Sequence, residues 1–224
     1  MAYRQTEFAV GEWYHCYTRS ITGRTVFDDV RDFQRFTEAL YLCNGTKTIK
    51  RGAISRPTHE RMLLLDRGGQ LIDLAAYAIM PNHFHLLLQE NRDGGISTFM
   101  QKLGTSYSMY YNVKKMHIGN VFKKPFRAKH IADERYLQRV LQYIHLNPIE
   151  LFERGWKQGL IRHPKSVENK VLSYRWSSLP DYESIVRVEN AILGKEAMTI
   201  FDERPPLRSI IAEAAEYYAE LEGL

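Results

Sequence analysis

The chain is predicted to be an α+β fold: a ferredoxin-like or RRM-like antiparallel sheet with helices on one face, followed by a mostly helical C-terminal extension. Three observations predict it. Strand-like and helix-like stretches interleave as strand, helix, two strands, helix, strand, helix. Pro81-Asn82 supplies turn chemistry between the two central strands, and a hairpin there excludes an all-parallel sheet. Finally, 44% hydrophobic and 25% charged residues over 224 positions suit one globular domain plus an extension, and exclude a disordered or fibrous chain.

Each element follows from its local pattern. GEWYHCYTR (11–19) is aromatic with partial alternation and reads as the first strand. Asp28 and Asp29 open a helix over 30–42, where Phe33, Phe36 and Leu40 recur at helical spacing. Residues 44–70 hold Gly45, Gly52, Pro57, Gly68 and Gly69 among many charges and read as a loop or insertion, with a short strand at 61–65 as one option. Residues 71–80 are apolar enough for a buried strand, and HFHLLLQ (83–89) is its hairpin partner.

After Gly94-Gly95, Ser97 is expected to cap a helix carrying Phe99, Leu103, Tyr107, Tyr110 and Tyr111. NVFKKPFRAKHI (120–131) reads as a basic, aromatic loop or edge strand, because Pro125 has no N–H to give a central one. Asp133 caps a helix from 134 to about 147, which Pro148 ends. The first domain is therefore placed at 1–150, and an extension over 151–224 packs on it through Trp156, Trp176 and Tyr182, closing with an acidic helix over 207–221.

The formal charge of +5 is unevenly spread. From 114 to 139, eight Lys/Arg face only Asp133 and Glu134, whereas from Asp181 onward ten Asp/Glu outnumber four Lys/Arg. Such asymmetry points to one cationic surface facing a polyanion, although a solvated helix and loop is an equally fair reading of charge alone. No uncharged apolar run approaches the roughly 18 residues of a membrane span, so no membrane association is expected. The two cysteines, Cys16 and Cys43, make neither a disulfide framework nor a four-sulfur zinc site, and a reducing cytoplasm is the expected compartment.

Successive side chains alternate along a strand, so His83 and His85 share one face about 7 Å apart, near enough to converge on one ion. By themselves they are as readily ordinary core or surface histidines. On the last helix the apolar stripe is Tyr136, Leu137, Val140, Leu141 and Ile144; Tyr143 falls at its border and Asn147 lies one turn further on the same side. Taken alone, those two suit a packing aromatic and a helix-ending residue.

The order PNHFH (81–85), VFKKPFRAKHI (121–131) and YLQRVLQYIHLNP (136–148) resembles the single-tyrosine HUH transposases, most closely their REP-associated branch. Tyr14, His15 and Arg19 in the opening strand, VFDD (26–29) and YRWSS (174–178) are similar too, so the resemblance spans roughly 8–182. It implies that His83 and His85 bind a catalytic divalent ion, Mg²⁺ or Mn²⁺, with Asn147 completing the site, and that Tyr143 is the nucleophile. Tyr136 is a rival on the same helix but does not fit the YI-x-x-N pattern. The implied reaction is metal-dependent cleavage and rejoining of single-stranded DNA at a REP-like hairpin through a 5′-phosphotyrosine. The implied setting is the bacterial cytoplasm, nucleoid-associated on DNA, as a monomer, with the dimer of insertion-sequence relatives as the alternative.

Lys123, Lys124, Arg127 and Lys129, interleaved with Phe122 and Phe126, offer phosphate contacts and stacking surfaces for a single strand, although both phenylalanines equally suit a strand core. Arg19 and Lys102 are further DNA-binding candidates. Two other readings remain: a catalytically silent protein that only binds DNA hairpins, and a metal-dependent hydrolase, for which the chain shows no further ligand motif.

Overall fold

The computed structural model describes residues 6–158, 161–200 and 205–222. Its elements run β1 (Trp13–Arg19), α1 (Val30–Cys43), α2 (His59–Leu63), β2 (Ile72–Met80), β3 (His83–Glu90), α3 (Gly95–Lys115), β4 (Arg127–Ile131), α4 (Glu134–Leu146), α5 (Pro164–Leu172), α6 (Leu179–Tyr182) and α7 (Leu207–Glu222). The four strands form one antiparallel sheet in the order β2-β3-β1-β4. Strand, helix, hairpin, helix, strand in that order is the ferredoxin-like arrangement expected from the sequence. None of the helices in the described residues is long and apolar enough to cross a membrane.

Local chemistry accounts for most boundaries. Asp29 and Asp32 form a reciprocal capping box at the start of α1. Asp133 caps α4 by accepting the Tyr136 N–H at 2.8 Å. The helix beginning at Gly95 is a correction: its N-cap is Gly94, in the left-handed conformation (φ 68°), and not Ser97. The buried carboxylate of Glu90 takes the place of a capping hydroxyl, accepting the Gly95 and Ile96 N–H groups at 3.0 and 2.7 Å. The short-strand option at 61–65 is also corrected: residues 61–63 belong to the helical turn α2, started by Thr58 Oγ1, which accepts the Arg61 N–H at 3.3 Å, and the chain turns at Leu64.

The two crossover helices α1 and α3 lie on one face of the sheet, as expected. Between them and the strands, Phe36, Phe84, Tyr107 and Phe122 interlock, with the Phe36 and Phe84 rings 4.8 Å apart. Of the two readings open for Phe122, stacking surface or core, its place is the core: it is 5% exposed, and a side chain so apolar gains more from burial than from an exposed stacking role. The opposite face is not bare, since α4 packs across β2 and β3 with Leu137, Val140, Leu141 and Ile144 buried. Helices therefore cover both faces of the sheet. Ala76 and Ala78 on β2 keep that face low enough for α4 to approach.

Residues past 150 close the open edge of the sheet. The Ile79 N–H donates to Trp176 O and the Ser178 N–H to Tyr77 O, each at 2.9 Å, so the extension pairs with the otherwise free edge of β2. Trp176 stacks on Phe33 of α1 with ring centroids 4.9 Å apart. Trp156 instead anchors a second apolar cluster with Leu146, Val171 and Ile210, joining α5 and α7 to the end of α4.

Candidate active site

The strand register brings separated residues onto the α4 face. His85 stands opposite Tyr17, and His83 opposite Arg19. On the other side of β1, Tyr17 stands opposite Arg127 and His15 opposite Lys129. Because directly opposed residues share a face, His83, His85, Arg19, Tyr17, His15, Arg127 and Lys129 all lie on the side that α4 covers.

Tyr143 enters from α4 with its ring perpendicular to that of His85, centroids 5.5 Å apart, and 5.9 Å from that of His15. It is half-buried and lines a cleft of about 350 Å³ with His83, His85, Asn147, Arg19, Lys123 and Arg127. Tyr136 does not line this cleft; its ring lies under Lys129 Nζ at 4.9 Å.

After α4 the backbone tightens into a 3-10 turn over Asn147–Leu151, with Pro148 near its start where no N–H is required. Pro148 thus converts the helix rather than ending the turn at once. The conversion holds Asn147 beneath His83, and Asn147 Oδ1 lies 3.3 Å from His83 Nε2. Two donors at right angles about 2.1–2.2 Å from an ion stand roughly 3.0–3.1 Å apart, so this pair already approximates neighbouring positions on a divalent cation. His83 Nδ1 is within 2.7 Å of Asn82 Oδ1, a contact that fixes the ring. No cluster of three or more His, Cys, Asp or Glu suited to a metal occurs in the described residues, so a site built on His83 and His85 would need the Asn147 amide oxygen as a further donor.

His15 supplies what the sequence reading did not assign. Its Nε2 lies 2.9 Å from His85 Nδ1 in buried surroundings. Burial, helped by the nearby Lys129 ammonium, pushes the His15 pKa down to about 4, so the ring is neutral at pH 7. In the tautomer in which neutral His15 accepts from His85 Nδ1–H, the lone pair of His85 is left on Nε2, the form that a metal ligand needs. Alternation of Trp13, His15, Tyr17 and Arg19 was visible in the sequence, but which residue each would face depends on register. Glu150 also lines the cleft and was not singled out.

The DNA-binding candidates divide. Arg19, Lys123 and Arg127 line the cleft, and Lys129 lies beside it on the same face. Lys124 faces a neighbouring hollow of about 550 Å³ lined by Phe84, Phe122 and Phe126. Lys102 is on α3, across the sheet from the cleft, with Nζ donating to Gly45 O at 2.5 Å.

Residues 68–147 match the family model described as "Transposase IS200 like". Among solved structures, a REP-associated tyrosine transposase bound to a REP hairpin superposes with a TM-score of 0.53 at 13% identity, covering 84% of this chain and 90% of that one. No curated protein matches the sequence. The matched segment holds His83, His85, Tyr143 and Asn147, which the structure gathers at one cleft. Motif, fold and family model point the same way: residues 68–147 are similar to the IS200-like transposases, and they lie within a fold shared with a REP-associated tyrosine transposase.

Proposed function

We propose that the chain cleaves and rejoins single-stranded DNA beside a hairpin, with Tyr143 as nucleophile and a divalent ion, Mg²⁺ or Mn²⁺, held by His83, His85 and Asn147. The observation that carries this reading is the meeting of a phenol, two imidazoles and a carboxamide at one basic cleft. When bound, the ion supplies charge stabilisation at a phosphate oxygen.

The chain's own residues do the rest. Tyr143 Oη attacks the scissile phosphorus; a phosphotyrosine ester forms as the bond to O3′ breaks, the phenolic proton passes to solvent, and the departing O3′ takes up a proton. The ester conserves the bond energy of the cut strand, so a 3′-hydroxyl can attack it and reseal DNA without a nucleotide cofactor. A phenol has an ordinary pKa of about 10, so positive charge around the reacting phosphate is needed near neutrality. Arg19, Lys123 and Arg127 provide it along the cleft and hold flanking phosphates in place. Asn82 and His15 orient the two imidazoles.

Incubating the purified chain with hairpin-bearing single-stranded DNA and Mn²⁺, followed by a denaturing gel, tests this. The expected product is a free 3′-hydroxyl fragment and a second fragment whose 5′ end is joined to protein. Hairpin binding with no cleavage would instead establish the silent binding protein, and cleavage with no protein-linked fragment would establish a hydrolase.

A further inference from the structure

Across the sheet from the cleft lies a second basic hollow of about 570 Å³, between α1 and α3 and beneath segment 47–52. Arg35, Lys47, Lys50, Arg51 and Lys102 line it. The carboxylates paired with these cations are Glu38 and Asp66. Glu38 is buried, with Arg51 Nε at 2.6 Å, Arg35 at 3.6 Å and His59 at 3.6 Å, and Asp66 pairs with Lys47. Five cations against two carboxylates leave the hollow positive. Lys102 ties Gly45 O to α3 and so anchors the start of the overlying segment. Among the described residues, none of the backbone N–H groups from Thr48 to Gly52 donates to a backbone carbonyl. Ammonium and guanidinium groups gathered around a concave surface are the chemistry of a phosphate site. Segment 47–52 lies outside the matched residues 68–147.

We propose that this hollow is a second phosphate-binding surface, which holds the phosphodiester backbone of the same DNA where it passes beyond the cleft. The proposal rests on the cleft being a DNA site. It predicts recognition by charge without base preference, because lysines and arginines on a helical surface contact phosphate rather than position base edges. A short oligonucleotide that fills only the cleft does not reach the opposite face, whereas a long hairpin substrate does.

Lys47 and Lys50 are exposed, so Lys47→Ala/Lys50→Ala tests the surface without disturbing the core. Lys165→Ala/Lys170→Ala on α5 removes the same charge elsewhere. Fluorescence anisotropy of the full chain in EDTA, over a series of salt concentrations, reads binding without cleavage. Hence a failed nucleophile assignment does not affect the outcome. For the long hairpin, the slope of log affinity against log salt is expected to become shallower by about 1.8 in the Lys47/Lys50 variant, two contacts at ~0.9 each. The short oligonucleotide and the α5 control should bind as the unaltered chain does, and Lys47→Arg/Lys50→Arg should keep the original slope. An unchanged slope for the long hairpin would overturn the proposal, as would an equal loss in the α5 control or with the short oligonucleotide.

Discussion

His83 and Asn147, 64 positions apart in the chain, meet with Nε2 3.3 Å from Oδ1. The contact exists because β3 presents His83 toward α4 and the 3-10 turn after α4 carries Asn147 back beneath it. Asn147 is 2% exposed, which is unusual for a carboxamide without a functional partner. Substituting Asn147→Ala is expected to weaken Mn²⁺ binding by at least about 10–100-fold, measured by calorimetric titration, while hairpin affinity in EDTA stays within about twofold.

The basic loop contains one core residue and one cleft residue side by side. Phe122→Ala should cost about 3–5 kcal/mol of stability, seen as a lowered midpoint in denaturant, because it empties a site ringed by Phe27, Phe36, Phe84 and Tyr107. Lys123→Ala should leave that midpoint unchanged and reduce DNA affinity and its salt slope. If Phe122→Ala folded as stably as the unaltered chain yet lost DNA binding, the core assignment would fail.

A buried ion cluster makes stability depend on pH. His59 of α2 lies between Glu38 of α1, at 3.6 Å, and Glu189 of the extension, at 3.3 Å. Burial alone would push the His59 pKa down, but the two carboxylates outweigh it and lift it to about 9. A raised folded-state pKa means that this contribution is whole below the ordinary value near 6.5 and is lost as pH rises toward 9. Chemical denaturation across that window should show a loss on the order of 2–3 kcal/mol that His59→Gln largely removes. An identical pH profile in the variant would show that His59 is not the group responsible.

The extension is part of the folded core in energetic terms. Its strand-like pairing with Tyr77 and Ile79, and Trp176 on Phe33, cover apolar surface of β2 and α1. Removing everything after Leu172 is therefore expected to give an aggregating or partly unfolded chain, judged by size-exclusion chromatography and near-ultraviolet circular dichroism. A monodisperse, cooperatively folding truncation would contradict this.

Legibility in the sequence followed physical range. Alternation placed His83 and His85 on one face, and helical spacing put Tyr143 and Asn147 on one side of α4, because both patterns are local. Cap chemistry gave Asp29 and Asp133 correctly. Ser97 failed as a cap because Glu90, distant by a loop, supplies the acceptors. His15 went unassigned because its partner is set by the pairing of β1 with β3, which no local pattern reveals. For Lys102 the charge is legible, but the face of the sheet that α3 occupies is not. Phe122 suits either a stacking surface or a core by sequence, and only its packing against α1 and α3 decides for the core.

The central claim is that Tyr143, and not Tyr136 on the same helix, takes the DNA. Mass spectrometry of protease-digested covalent adducts, formed with hairpin DNA and Mn²⁺, tests it most directly. The phosphonucleotide is expected on the peptide bearing Tyr143, with no adduct in Tyr143→Phe and an undiminished adduct in Tyr136→Phe. An adduct mapped to Tyr136, or one that survives Tyr143→Phe, would contradict the account.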